Sequence, residues 1–267
     1  MNIACLGSGK MGTALLRGIV SRNLCSPRDI IISDPVEAAR QAAADAIPGL
    51  LIAADNVQAV EAADVVLVCV KPAGVVPLLA SLQGLPPKLI ISIAAGVTLA
   101  DMEAAAPSHR FVRVMPNTPA LVGKGASAFT PGRLATEADI ATTTSILGAV
   151  GTVSRVAEPL LDAVTGVSGS GPAYIYTVIE ALADGGVHEG LTREIALQLA
   201  AQTVAGAAAM VLETGLHPAV LRDQVTRPGG TTIRGLAALE EGGLRSALIR
   251  CVHAAASRAR ELGRPSS

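Results

Sequence analysis

The stretch NIACLGSGKMG, residues 2–12, decides the fold. A short apolar run, Asn2–Leu6, leads straight into Gly7-x-Gly9-x-x-Gly12, and a helical pattern follows to about Arg22. A lone glycine fingerprint is weak, but between a strand and a helix it reads as a dinucleotide-binding loop. Gly7 permits the tight turn, Gly9 lets backbone approach a pyrophosphate, and Gly12 lets the helix pack closely on the strand. Free N–H groups and the helix dipole would then hold the anion.

Further along, the pattern repeats. Ile30–Ser33, Val65–Val70, Leu89–Ile93 and Phe111–Met115 read as strands, several apolar without alternation, as parallel strands covered on both faces should be. Helical segments such as Val36–Ala46 separate them, and Ala135–Gly148 and Thr152–Val156 read as a last helix and strand. The fold expected is an α/β N-terminal Rossmann domain, doubly wound with a mainly parallel sheet, over residues 1–155. Beyond that, strand runs vanish. Ser168–Pro172 breaks one helix and starts the next, Thr192 and Gly215 punctuate an Ala-rich helix, Pro218 opens a short one, and the last runs from Leu244 to Leu262. Residues 156–267 are therefore expected to form an all-α domain, with a loose tail at Arg264–Ser267.

Composition narrows the function. Half of the 267 residues are apolar but only 1% are aromatic, so the core is built from Ala, Val, Leu and Ile. The formal net charge is −1, which offers no electrostatic footprint for nucleic acid or an anionic membrane. Cysteines at 5, 25, 69 and 251 form no C-x-x-C pair, so no metal cluster or redox dithiol is expected. No signal peptide is evident. Leu197–Leu212 is interrupted by Gln198, Gln202, Thr203 and Gly206, short of the ~20 clean apolar residues of a membrane span. A soluble, cytoplasmic protein is expected.

Candidate site residues gather at strand ends, where open α/β sheets bind ligands. Asp34 lies 22 residues after Gly12, close to the spacing of an acid that binds a ribose diol and repels a 2′-phosphate. It also suits a helix N-cap. Val70-Lys71-Pro72, Ala94-Ala95-Gly96 and Met115–Pro119 close other strands; two alanines leave room for a flat ring, although each segment also suits ordinary turn chemistry. The four histidines, 109, 188, 217 and 253, are scattered. The run RPGGTTIRGL, 227–236, breaks a helical region with glycines and hydroxyls alone.

The segments GSGKMG, VKPAGV, ISIAAGVTL, RVMPNTPALVGKG, DAVTGVSGSGPAYIY, EALADGG, MVLETGLHPAVLRDQVTRPGGTTIRGL and EEGGLRSA span nearly the whole chain. Together they resemble the pyrroline-5-carboxylate reductase family, most specifically in the C-terminal run. The resemblance implies reduction of 1-pyrroline-5-carboxylate to L-proline with NADPH or NADH, and helical domains paired into a homodimer that in some members builds decamers. It puts the cofactor on Gly7, Ser8, Gly9, Lys10, Met11, Gly12, Asp34, Asn56, Cys69, Val70, Lys71, Pro72, Ile93, Ala94 and Ala95. It puts the substrate on Gly229, Gly230, Thr231 and Thr232, with Gln224 and Glu158 nearby, and makes Thr232 the candidate catalytic residue. Thr231 also suits a plain N-cap. Asp34 stands where NADP-preferring members often carry a small hydroxyl residue, and Gln224 where Asn is frequent. A hydroxyacid dehydrogenase on a similar plan would place a lysine in its helical domain, but no lysine follows Lys124. A non-catalytic dinucleotide-binding protein would not need the complete 229–232 run.

Overall fold

A computed structural model describes residues 1–263. The chain divides into two compact units, one of Met1–Ser170 with the segment from Ala254 onward, the other of Gly171–His253.

In the first unit, strands β1 (Ile3–Leu6), β2 (Ile30–Ser33), β3 (Leu51–Ile52), β4 (Val65–Val68), β5 (Leu89–Ser92), β6 (Arg110–Met115), β7 (Gly125–Pro131) and β8 (Gly151–Arg155) form one sheet. Its order is β3-β2-β1-β4-β5-β6-β7-β8. All neighbouring strands run parallel except β6 and β7, which are antiparallel. The connecting helices are α1 (Lys10–Ser21), α2 (Glu37–Ala46), α3 (Asn56–Glu61), α4 (Val75–Ala80), α5 (Leu99–Ala105) and α6 (Glu137–Gly148). The chain order reverses between β1 and β4, which makes the ends of these strands the expected crevice.

The strands lack a polar face because both faces are covered. Ile3 and Cys5 join one apolar cluster with Leu15, Ile19 and Leu67, while Ala4 and Leu6 join another with Val60, Val66 and Leu79. Two strands escaped the sequence pattern. β3 is a two-residue edge strand. β7 reads GASAFTP, too rich in small residues and proline to signal a strand, yet its pairing with β6 buries Ala128 and Phe129.

The packing division falls later than the boundary expected near Arg155. A turn at Glu158–Leu160, the short helix α7 (Leu161–Val164) and a wide turn at Thr165–Gly169 stay with the sheet. Leu161 is buried, and the Asn117 amide donates to the Ser168 carbonyl at 3.1 Å. The Glu158 carboxylate accepts from the Leu99 amide and the Arg113 guanidinium. These ties, rather than the loss of strand pattern, set where the unit ends.

The second unit contains α8 (Gly171–His188), α9 (Arg193–Thr214), α10 (Pro218–Gln224), α11 (Thr231–Glu241) and the larger part of α12 (Leu244–Leu262). The Thr192 hydroxyl caps α9 by accepting from the Ile195 amide, and Gly215 closes it. The α8–α9 hairpin packs through small residues. A Cβ at Gly186 would lie 3.1 Å from that of Ala196. Its buried cluster is Ala183, Ala196 and Ala200. Large apolar side chains on these helices, Tyr176, Leu197 and Leu212 among them, stay exposed. At 22 residues, α9 is long and apolar enough to cross a membrane by length and composition, contrary to the shorter stretch expected from Leu197–Leu212. Capping extends the helix by a turn at its start, beyond the interrupted apolar core.

Candidate active site

The glycine loop is formed as its sequence requires. Gly7 takes a φ of +94°, and a side chain there would lie 2.9 Å from the Cys69 carbonyl. A Cβ on Gly12 would sit 2.5 Å from the Gly7 carbonyl oxygen, so α1 can approach the strand only with glycine at this point. Gly9, in contrast, has nothing within 4 Å of where its Cβ would be. It N-caps α1 with no side-chain partner. The first N–H groups of the helix, beginning at Lys10, Met11 and Gly12, therefore face an open cradle with no intrahelical acceptor. That donor set suits a pyrophosphate. Thr13 fixes the loop by donating its hydroxyl to the Ser8 carbonyl at 3.0 Å. Lys10 is exposed, while Met11 packs against the core.

Asp34 leaves β2 at the same crevice, but its carboxylate turns back. Oδ2 accepts from the Ser8 amide at 2.7 Å and from the Ser8 hydroxyl at 3.3 Å. Oδ1 accepts from the Val36 amide at 2.9 Å. The carboxylate thus ties the glycine loop to the end of β2. Asn56 opens α3, half-buried, behind an Asp55 cap. At the end of β4, Cys69 continues the ladder by one bond, its amide donating to Leu6 at 2.8 Å. Val70 is half-buried, Lys71 and Pro72 exposed. Ile93 likewise extends β5, donating to Val68 at 3.1 Å. Ala94 and Ala95 then border a cavity of about 260 Å³, together with Arg113, Met115, Ala255 and Arg258.

Cys5 lies fully buried beneath the loop. Its hydrogen bond with Cys69, with burial second, pushes its thiol well above the ordinary range. The thiol therefore stays protonated and offers no nucleophile. His109 is also structural: its Nδ1 accepts from the Lys88 amide, and burial lowers its pKa.

In the helical unit, Gly229 takes a φ of +67° and Gly230 is the N-cap of α11. Thr231 is thus the first helical residue rather than a cap; the alternative reading of Thr231 as N-cap is corrected by one position. Gly230 carries no side-chain cap, so the N–H groups of the first turn are open. Thr231 is exposed and Thr232 half-buried, and Gln224 ends α10 exposed to solvent. Glu158 belongs to the α/β unit and not to this loop's unit. Its Oε1 is engaged by Leu99 at 2.7 Å and by Arg113 at 2.9 Å, so its first role is to hold Arg113 beside the cavity.

Sequence reasoning passed over Arg113. Arg113 carried a signal: a charge inside the apolar run FVRVM implies a buried partner. Arg40, six residues after Asp34, signals by spacing alone, because its contact with the end of β2 depends on the course of the chain.

Two family models match separate parts of the chain. Residues 158–262 match the family model described as pyrroline-5-carboxylate reductase dimerisation. Residues 2–96 match the one described as NADP oxidoreductase, coenzyme F420-dependent. The chain is 47% identical over 265 residues to a pyrroline-5-carboxylate reductase of Methanosarcina acetivorans, covering 98% of each. Its fold is similar to the solved pyrroline-5-carboxylate reductase of Coxiella burnetii, with TM-score 0.92 and 35% identity, covering 99% of both chains. It is also similar to the Plasmodium falciparum enzyme solved with NADP bound, with TM-score 0.88 and 30% identity, covering 99% of this chain and 98% of that one.

Proposed function

The chain belongs to the pyrroline-5-carboxylate reductase family, and from that premise we infer that it reduces 1-pyrroline-5-carboxylate to L-proline, the last step of proline biosynthesis. The cofactor is NADPH or NADH, whose nicotinamide, when bound, supplies the hydride.

The residues divide the remaining work. Gly7, Ser8, Gly9, Lys10, Met11 and Gly12 hold the pyrophosphate on the first turn of α1. Asp34 and Asn56 border the ribose and adenine side, with Cys69, Val70, Lys71 and Pro72 at the end of β4. Ile93, Ala94 and Ala95 leave room for the nicotinamide ring. On the helical unit, Gly229 and Gly230 turn the chain, with the Gly230 amide donating to the Arg227 carbonyl, and the N–H groups of the first turn of α11, from Thr231 on, are offered to the substrate carboxylate; Gln224 closes the edge of that loop. Glu158 acts through Arg113, which it fixes in place.

A protonated cyclic imine is already a good hydride acceptor, so the protein mainly has to align it. Orientation of this kind supplies ~7–11 kcal/mol of a barrier. No strong general base is needed in the reducing direction, which agrees with a structural His109 and a protonated Cys5. Thr232 is the catalytic candidate, because it is half-buried and brings a hydroxyl into the same first turn as the open N–H groups. It hydrogen-bonds the substrate, and once hydride transfer has turned the iminium into an amine it can relay a proton to the ring nitrogen while taking one from water.

The enzyme oligomerises. We place the exposed apolar faces of α8 and α9 against a second copy, as a homodimer able to assemble further, and the enzyme in the cytoplasm without a nucleic-acid or membrane partner.

The observation that carries this reading is that one chain presents two open helix starts, Gly9 over α1 and Gly230 over α11, each without a side-chain cap. Addition of 1-pyrroline-5-carboxylate to the protein with NADPH or NADH tests it. Loss of nicotinamide absorbance with matching L-proline is expected. A well-folded protein that oxidises neither cofactor overturns it.

A further inference from the structure

The end of β2 sets a problem. An acid there favours a free ribose diol and repels a 2′-phosphate. Asp34 taken alone would therefore make the chain an NADH enzyme. The structure shows where its charge goes. Both carboxylate oxygens are engaged by the protein itself, Oδ2 on Ser8 and Oδ1 on the Val36 amide. Hydrogen bonds to an ionised carboxylate are strong and offset part of its charge.

Across the same strand end lies Arg40, in the first turns of α2. Its Nη1 donates to the Asp34 backbone carbonyl at 2.5 Å. Arg40 is half-buried, and among the described residues no carboxylate forms an ion pair with it. One bond to a neutral carbonyl leaves most of its five donors available. A planar fork of this kind suits a phosphate better than an ammonium does. Strand end, inward-turned acid and unpaired guanidinium converge on the place where the two cofactors differ.

We propose that Arg40 is the residue that admits NADPH, receiving its 2′-phosphate, while Asp34 is held on Ser8 and Val36 out of the phosphate's way. The chain then accepts both cofactors, and Arg40 sets the share that NADPH takes. This rests on the cofactor reading above, and adds to it a specificity-determining side chain that the strand–glycine–acid pattern does not show.

The test compares wild type, Arg40→Ala and Arg40→Lys by isothermal titration calorimetry. The ligands are NADPH, NADH, and the fragments 2′,5′-ADP and 5′-ADP, so that binding is read without turnover. Arg40→Ala should weaken NADPH and 2′,5′-ADP at least about tenfold, and leave NADH and 5′-ADP within about twofold. Arg40→Lys should restore part of the loss, because charge returns without the fork. Equal weakening of all four ligands would make Arg40 a mere support for the Asp34 turn and overturn the proposal. So would unchanged binding of all four. Wild-type protein that binds neither dinucleotide would instead overturn the cofactor reading itself, a result distinct from either.

Discussion

The two units of this chain solve the folding problem differently. In the α/β unit, large apolar side chains are fully buried on both faces of the sheet, Ile3 and Leu15 in one cluster and Leu6 and Leu79 in the other. In the helical unit the buried cluster is three alanines, while Leu212 is 76% and Ile249 71% exposed. Burial of a leucine-sized side chain is worth ~1.5–3 kcal/mol. The α/β unit collects that stabilisation within one chain. The helical unit leaves it uncollected within one chain, which is what the proposed pairing of α8 and α9 with a second copy would supply. Composition alone hides this, since both halves are apolar; only the placement of the side chains separates a finished core from a waiting one.

The strongest way to break the comparison is to charge the waiting face. Leu197→Asp with Leu212→Asp should dissociate the oligomer and abolish most of the activity, read by light scattering and by proline formation. The same chemical change at Leu51, also exposed at 52% but on the edge strand of the α/β unit, should stay within about ±0.5 kcal/mol. Equal effects at the two places would remove the distinction. Next in size, Leu15→Ala creates a cavity in a finished core. It should cost ~2–5 kcal/mol in denaturant unfolding without changing the assembly.

A smaller effect tests chemistry on the helical side. Thr232→Ala should lower kcat/KM by about tenfold or more, as loss of one charged hydrogen bond does. A fall in kcat supports proton delivery by the hydroxyl; a rise in KM alone would leave it only a binding role.

The smallest effect concerns pH, and it belongs to the α/β unit. The unfolded chain protonates His109 near its ordinary value of 6.5, while burial keeps the folded ring neutral to lower pH. The unfolded state therefore binds more protons in that window. Stability is full above 6.5 and declines as pH falls toward the folded value. Asp139 acts further into acid. Burial would raise its carboxyl, but the Thr136 amide and hydroxyl and the Arg110 guanidinium outweigh that and hold it below 3.8. Its contribution is lost as pH falls below 3.8 through the folded value. Melting curves of wild type and His109→Gln between neutral pH and pH 5 should converge as the pH falls. Parallel curves would contradict the assignment.

Much of this was legible in the residues. The strand–glycine–helix order placed β1 and α1, and Thr192 and Gly215 marked the ends of α9, because each rests on local backbone chemistry. The register of the 227–236 run was off by one, since Gly230 and not Thr231 takes the cap; either residue satisfies the same sequence rule. What stayed hidden depends on distant partners. β7 exists because β6 and β8 pair with it, not because GASAFTP favours a strand. The inward turn of Asp34 needs Ser8, 26 residues earlier in the chain, and Glu158 needs Arg113, 45 residues away.

The claim beneath all of this is that the helical unit is completed by another copy of the same chain. Light scattering on the eluting protein, with proline formation assayed across the same peak, tests it most directly. The account predicts a mass that is a whole multiple, at least two, of the chain mass, with activity following that peak. A fully active species of single-chain mass would contradict it.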